Sequence, residues 1–197
     1  MSIINPEQLL VQVAAILERL KVEYFVIGGF AVSVWGRPRA TFDVAIAAQL
    51  VVPQMDALVQ ALRELSPTGY IDEETVAAAI RRGGEFNFID PQSGAKIDFW
   101  IGQRNPFTAS QFQRRRLEHL DGQPVYFASP EDLILSKLRW YQQSGSSRQH
   151  EDVASVLAIS GDQLDWTYLN DWAEQLGVTG LFDQVRREAA PGAGASG

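Results

Sequence analysis

The sequence predicts an α+β fold, in which a small mixed sheet with flanking helices is followed by a helical C-terminal region. Strand-like runs are confined to the first 128 residues, where EYFVI, FDVAIAA, EFNFID and KIDFWIG are short and either alternating or continuously apolar. From residue 129 onward the spacing of apolar residues is helical. We therefore expect an α/β core over residues 1–128, a helical region over 129–189 and a disordered tail over 190–197.

Start and stop signals place the elements of the first half. Asn5 followed by Pro6 begins a helix, because an asparagine cap and a proline in the first turn both favour helix initiation. EYFVI is a buried strand that ends at Gly28-Gly29, and FAVSVW is a helix stopped by Gly36. The segments PQMDALVQALREL and DEETVAAAIRR are the next two helices.

Two hairpins and four helices complete the prediction. PQSG joins EFNFID to KIDFWIG, and Asp121-Gly122 lies between the strand-like runs RRLEHL and PVYFAS. Ser129, Pro130 and Asp132 form a sharp helix start. The helices that follow are expected at about 130–143, 147–159, 165–176 and 179–189.

Composition excludes several classes of site and partner. The chain has 197 residues and no cysteine, so thiolate metal sites and disulfides are excluded, and its two histidines cannot form a multi-histidine metal site alone. The sequence shows neither a membrane span nor a signal peptide, and we expect a cytoplasmic protein. The net charge of −7 disfavours general polyanion binding, so any contact with RNA must be local.

Two acidic residues are expected on one face of the sheet. Because strand side chains alternate between faces, Val44 and Ile97 point into the core, while Asp43 and Asp98 point to the other side. Two carboxylates on neighbouring strands are oxygen ligands suited to Mg²⁺. A glycine pair between a strand and a helix, such as Gly28-Gly29, lets a phosphate approach backbone N–H groups. Together these features indicate phosphoryl or nucleotidyl transfer.

The order of the motifs carries a resemblance to a known superfamily. Read as hGGhAhxxxGRPRxTxDxxI, then KIDFWIG, then DGxPVxxASPEDLILSKL, the chain resembles the nucleotidyltransferase-like superfamily of DNA polymerase β type, over residues of about 22–158. Within it, the chain is most similar to bacterial AbiEii-type toxins. The resemblance implies that Gly28 and Gly29 lie beside the triphosphate, and that Asp43 and Asp98 are metal-binding, catalytic acids.

The resemblance also implies roles for residues outside the sheet. Lys137, in the segment EDLILSK, matches a motif lysine of catalytic and nucleotide-binding type. Asp152, in SSRQHEDVASVL, matches a later catalytic aspartate. Arg37 and Arg39, in the loop before Asp43, are candidate phosphate or RNA contacts, although a solvated loop gives the same pattern.

The chain departs from the family pattern at Ala45. Family members carry an aspartate there, which would bridge two metal ions, and a methyl group binds none. Three explanations are open from the sequence: an engineered substitution, a native pseudoenzyme, or replacement by another acid. Glu85 and Asp90 precede Asp98 in the chain, and their parity allows only one of them to share its face.

The resulting expectation is a Mg²⁺- or Mn²⁺-dependent nucleotidyltransferase of AbiEii-toxin type. It would transfer NMP from an NTP to an RNA hydroxyl, with tRNA as the leading acceptor and a cognate antitoxin protein as an implied partner. Protein and small-molecule acceptors are alternatives. A further alternative is a catalytically inactive nucleotide-, RNA- or partner-binding module on the same fold, since Ala45 puts activity in doubt.

Overall fold

The computed structural model describes residues 5–41, 43–102 and 105–189. The chain divides into two compact units. Unit 1 comprises Met1–Phe30 and Ala40–Ala128, and unit 2 comprises Ala31–Arg39 and Ser129–Gly197. The tail predicted over residues 190–197 lies outside the described residues.

Unit 1 contains a six-stranded mixed sheet. Its strands are β1 (Glu23–Ile27), β2 (Asp43–Gln49), β3 (Gly84–Ile89), β4 (Lys96–Ile101), β5 (Arg116–Leu120) and β6 (Gln123–Phe127). Their order across the sheet is β3-β4-β2-β1-β6-β5. β2 pairs with β4 and β1 with β6 in parallel, and the other neighbours are antiparallel. The predicted α+β class and mixed sheet are confirmed, as are both hairpins.

Helices flank the sheet and make up most of unit 2. The helices are α1 (Pro6–Arg19), α2 (Gly28–Trp35), α3 (Val52–Leu65), α4 (Glu73–Arg82), α5 (Pro106–Arg114), α6 (Pro130–Ser144), α7 (Ser147–Ser160), α8 (Trp166–Gln175) and α9 (Thr179–Ala189), with a 3₁₀ turn at Gly161–Gln163. Only the first three residues of α2 belong to unit 1. Within the described ranges, every helix falls short of the length and apolarity that crossing a membrane requires.

Local chemistry accounts for the helix and hairpin boundaries. The Asn5 side chain accepts from the backbone N–H of Gln8, whose side chain accepts from the N–H of Asn5, so α1 starts with a complete capping box. Ser129 caps α6 by accepting from the N–H of Asp132. The β5–β6 turn uses Asp121 and Gly122, which both have positive φ, as the tightest hairpin turns require.

Alternation along the strands fixes which face of the sheet is buried. Val44, Ile46, Ile97 and Phe99 are fully buried, whereas the residues between them are partly or fully exposed. A slip of one residue would expose this apolar set and bury the polar one, so the hydrophobic pattern holds the register. Burial of this apolar set therefore places Asp43, Ala45, Lys96 and Asp98 on the opposite face of the sheet.

Helix α5 covers part of that opposite face, and the sequence analysis did not predict it. The ladder pairs Phe25 with Ala47 in β2 and places Phe25 on the face opposite Ile46. The ring of Phe25 packs on Phe112 of α5 at 4.8 Å between centroids. Asn105 caps α5 by accepting from the N–H of Thr108, and an Asn-Pro start was the available signal.

The segment Ala31–Arg39 belongs to unit 2 although it is embedded in the first half of the sequence. Ser160 donates to the carbonyl of Trp35 at 2.5 Å, and the N–H of Arg37 donates to the Ser155 hydroxyl at 2.7 Å. These contacts join residues more than 100 positions apart, which explains why local sequence patterns do not reveal them.

We expect replacement of Phe99 by alanine to lower the free energy of unfolding by about 3–5 kcal/mol, because it removes a buried ring and leaves a cavity. Phe99 is 0% exposed and stacks on Phe86 at 4.7 Å between ring centroids. Urea unfolding followed by circular dichroism measures the loss.

Leu117→Ala is the matched control, because Leu117 is also in the sheet but is 48% exposed. This substitution should lower the free energy of unfolding by less than about 1 kcal/mol. Equal losses in the two variants would contradict the assignment of the buried face.

Candidate functional site

The predicted acids lie on one face of unit 1, at the beginning of the parallel strands β2 and β4. The ladder places Asp43 opposite Lys96 and Ala45 opposite Asp98. Because directly paired residues of neighbouring strands point to the same side, all four side chains share the face away from Val44 and Ile97. The predicted placement of the two acids on one face of neighbouring strands is confirmed.

The two carboxylates are diagonal neighbours. The distance between neighbouring strands and the rise along a strand put the Cα atoms of Asp43 and Asp98 about 8 Å apart. The Asp98 side chain is 18% exposed and Asp43 is exposed, so both are open to solvent from this face. At this separation, two aspartate side chains can converge on one small cation that also binds other oxygen ligands.

The glycine pair lies directly beside Ala45. Ile27, the last residue of β1, pairs with Ala45, and α2 begins at the next residue, Gly28. Gly28 has φ of +72°, and a methyl group added there would approach the Ala45 Cβ to 3.3 Å. At Gly29 an added methyl would meet the Thr41 hydroxyl at 2.8 Å. Only glycine therefore allows the backbone to turn this closely against the face that carries Asp43, Ala45 and Asp98.

The residues present fit one divalent cation and do not fit a two-metal centre. Two adjacent cations need an anionic ligand between them, and Ala45 offers a methyl group instead. Across the described parts of the chain, no three acidic or histidine side chains are grouped closely enough to bind a metal ion. The proposed substitute acids therefore do not complete the site.

Asp90 in particular has a structural role. Its side chain is 3% exposed and accepts hydrogen bonds from the Ser66 hydroxyl at 2.7 Å and from the Ser93 N–H at 3.0 Å. Its pKa is lowered because these hydrogen bonds outweigh the opposing effect of burial. Glu85 does share the face of Asp98, but the residue paired with Asp98 is Asn87. Replacement by either acid is thus not supported.

Strand alternation predicts Lys96 on this face, but the sequence analysis gave it no functional role. Its ammonium nitrogen lies 3.1 Å from the Asp98 carboxylate. The hydrogen bond to Asp98 raises the pKa of Lys96, and the charges of Asp43 and Glu85 act in the same direction. The available signal was the Lys-x-Asp spacing, which puts both side chains on one face of a strand.

The amide of Asn87 is a second partner of Asp98. With its nitrogen oriented toward the acid, Asn87 donates to Asp98 Oδ1 at 2.7 Å. Both oxygens of Asp98 therefore have a donor from the protein, one cationic and one neutral.

Three of the remaining predicted residues, Arg39, Lys137 and Asp152, form an ion cluster within unit 2. The Lys137 ammonium, on α6, lies 2.7 Å from Asp152 Oδ2 and donates to the Gln149 side-chain oxygen at 3.1 Å. Arg39 makes a bidentate contact with the same carboxylate, at 2.8 and 2.9 Å. Arg37 is exposed. The structure thus brings Lys137, Asp152 and Arg39 together, and places Gly28, Gly29, Asp43 and Asp98 in unit 1.

Burial makes this ion cluster electrostatically strong. The side chains of Lys137 and Asp152 are 7% and 3% exposed. Burial lowers the pKa of Lys137, and Asp152 opposes that effect. Burial also disfavours the charged form of Asp152, but the hydrogen bonds from Arg39 and Lys137 hold its pKa below the usual range.

Solved structures with the same architecture show which fold this is. An antigenic nucleotidyltransferase-like protein from Paracoccidioides brasiliensis is 16% identical, with a TM-score of 0.54 over 93% of this chain and 92% of its own. ANT(2'')-Ia, in complex with adenylyl-2''-tobramycin, is 16% identical, with a TM-score of 0.55 over 93% of this chain and 98% of its own.

The chain has the nucleotidyltransferase-like fold. The lincosamide antibiotic adenylyltransferase LnuA, bound to lincomycin, is similar at 13% identity, with a TM-score of 0.50 over 74% of this chain and 92% of its own. No family model matches the sequence, and no curated protein is similar enough to count as a match. Identities of this size establish the shared nucleotidyltransferase-like fold, and the AbiEii-type resemblance stays a prediction.

We expect Asp152→Ala to lower the free energy of unfolding by about 3–5 kcal/mol, because it leaves the buried Lys137 ammonium without a counter-ion. Lys137→Met should cost less than about 2 kcal/mol, because Asp152 keeps its bidentate contact with Arg39. Urea unfolding compares the two variants. Equal costs, or the reverse order, would contradict the assignment of Asp152 as the shared counter-ion.

The same cluster predicts a pH dependence. Because the pKa of Asp152 is depressed in the folded chain, its contribution is complete above the ordinary aspartate pKa of about 4. It is lost as pH falls through the lower folded-state pKa. The difference in unfolding free energy between the unsubstituted chain and Asp152→Asn should therefore shrink below about pH 4. If this difference in unfolding free energy stays constant down to pH 2, the ionised Asp152 carboxylate does not stabilise the fold as proposed.

Proposed function

We propose that the chain binds a nucleoside triphosphate and transfers NMP to a hydroxyl acceptor. The observation that carries the proposal is the shared face of Asp43 and Asp98 beside the Gly28-Gly29 turn. Carboxylates that bind a cation, next to backbone N–H groups at a helix start, suit an anionic phosphate chain. The nucleotidyltransferase-like fold supports the same conclusion.

The residues of unit 1 have distinct roles in this proposal. Asp43 and Asp98 would hold one Mg²⁺ or Mn²⁺ ion. When bound, that ion would neutralise phosphate charge and orient the triphosphate. The N–H groups at the start of α2 would contact phosphate oxygens, and Gly28 and Gly29 keep the approach open. Asp98 is in addition the candidate base for the acceptor hydroxyl.

The cationic residues of unit 2 keep their proposed nucleotide-binding role. Lys137 keeps the nucleotide-binding role that the AbiEii-type resemblance implies, and Asp152 would be the positioning residue that holds its ammonium. Arg39 already uses its guanidinium on Asp152, so its phosphate contact would have to be shared, whereas the exposed Arg37 is open to solvent. Substituting each cluster separately tests these roles.

An RNA hydroxyl, with tRNA as the leading case, is the acceptor we propose. This assignment follows the AbiEii-type resemblance, which also implies a toxin with a cognate antitoxin in the cytoplasm. A small-molecule acceptor is the alternative among enzymatic functions. It is favoured by the similar architecture of ANT(2'')-Ia, whose structure contains adenylyl-2''-tobramycin, and of the lincomycin-bound LnuA.

A catalytically inactive nucleotide-binding module is the second candidate function. Ala45 and the Lys96–Asp98 ion pair favour it, because both reduce the capacity of this face for divalent ions. Such a module would retain nucleotide binding and lack transfer. The two candidates therefore differ in one measurable property of the same site.

Label transfer distinguishes the candidates. The chain and its Ala45→Asp variant are incubated with Mg²⁺, each α-labelled NTP, total tRNA, candidate proteins and an aminoglycoside. We expect Ala45→Asp to transfer label at least about 100-fold faster, because the added carboxylate is an anionic ligand for the divalent ions that would neutralise phosphate charge. Labelled tRNA supports the RNA acceptor, and a labelled aminoglycoside supports the small-molecule acceptor.

Matched variants complete this experiment. Adding Asp43→Asn to Ala45→Asp should abolish transfer, whereas adding Asp56→Asn, an exposed acid on α3, should not change it. Nucleotide binding by every variant without transfer would favour the inactive module. If the chain and the Ala45→Asp variant bind no NTP and label nothing, both proposed functions are wrong.

A further inference from the structure

The carboxylate of Asp98 already has a cation of the protein beside it. Lys96 lies two residues earlier on β4, so its side chain emerges on the same face. Its ammonium is 3.1 Å from Asp98 Oδ2, and the two side chains are 33% and 18% exposed. The pair is thus half-covered rather than freely solvated, which strengthens the contact relative to a surface ion pair.

The register places Lys96 among all the acids of this face. Lys96 is directly opposite Asp43 on β2, and Asp98 is directly opposite Ala45. Glu85, on β3, shares the face but pairs with Trp100, one alternation further along. The Lys96 ammonium therefore contacts one candidate metal ligand, Asp98, and belongs to the residue directly opposite the other, Asp43, while the Ala45 side chain contributes no charge.

A second divalent ion would meet two obstacles at this position. It would lack an anionic ligand at Ala45, and it would be repelled by the Lys96 ammonium a few ångströms away. Displacing that ammonium from Asp98 would cost the existing hydrogen bond. Both effects act on the same ion, so they reinforce each other.

We propose that the ammonium of Lys96 is a built-in cation that replaces one of two divalent ions, so that this face of the sheet binds at most one. The inference deepens the proposed function and rests on it for the identity of the site. It predicts that Lys96 limits the number of divalent ions bound at this face, which a metal-binding measurement without nucleotide can test. Its failure is therefore distinguishable from a failure of nucleotide binding or transfer.

Manganese binding provides the test. The full chain is titrated with Mn²⁺ without nucleotide, and free Mn²⁺ is counted by electron paramagnetic resonance. We expect weak binding of at most one ion to the unsubstituted chain, and Mn²⁺ affinity raised by about tenfold or more in Lys96→Met, because a like charge is removed. The double variant Ala45→Asp/Lys96→Met should bind two ions.

Separate controls test where Mn²⁺ binds and whether the loss of any positive charge would raise its affinity. Mn²⁺ bound at this face should broaden the amide resonances of Ala45 and Asn87 before that of Leu117. Lys21→Met removes the same charge from an exposed lysine before β1 and should leave Mn²⁺ affinity unchanged. Lys96→Gln is a second neutral variant, and circular dichroism confirms that each variant is folded.

Two results would overturn the inference. One is unchanged Mn²⁺ affinity in folded Lys96→Met and Lys96→Gln. The other is tight binding of two Mn²⁺ ions to the unsubstituted chain with broadening at Ala45 and Asn87. Loss of nucleotide binding in every variant, with the expected Mn²⁺ result, would reject the proposed function and leave the role of Lys96 intact.

Discussion

The parallel pairing of β2 with β4 is the constraint on which the rest of the site depends. It sets Ala45 against Asp98 and Asp43 against Lys96, so two acids, one methyl group and one ammonium share a face. The pairing is held from the other side, where Ile46 and Phe99 are completely buried. Because the strand period is two, the apolar face and the polar face cannot be changed independently.

The two charged clusters differ in how easily their partners can be exchanged. Asp98 and Lys96 are 18% and 33% exposed, so water or a ligand can replace either contact at moderate cost. Asp152 and Lys137 are 3% and 7% exposed, and Asp152 is also held by Arg39. Separating Asp152 from Lys137 would leave a buried charge without a counter-ion. The sheet face is therefore suited to exchange of cations, and the helical cluster is suited to holding fixed positions.

Ala45 is the uncharged residue opposite Asp98 on the face that carries Asp43. The Gly28-Gly29 turn and the strands β1 and β4 adjoin Ala45, and α5 packs on Phe25 of the same face. Because Ala45 is only partly buried and apolar, its side chain contributes little packing and no charge to this face. Val44, Ile46, Ile97 and Phe99 thus pack on one side of these strands, and the proposed metal ligands Asp43 and Asp98 lie on the other.

The sequence by itself determined the six strands and the helices other than α5, the mixed α+β class and the face on which Asp43 and Asp98 lie. Those features follow from short-range rules, namely apolar periodicity, capping and the alternation of strand side chains. Only the tertiary structure decided the strand order, the structural role of Asp90, the contact of α5 with Phe25 and the ion cluster of Arg39, Lys137 and Asp152. Arg39 and Asp152 are 113 positions apart, and nothing in either neighbourhood specifies the other. Pairings of this kind depend on how whole elements pack, which a local pattern does not encode.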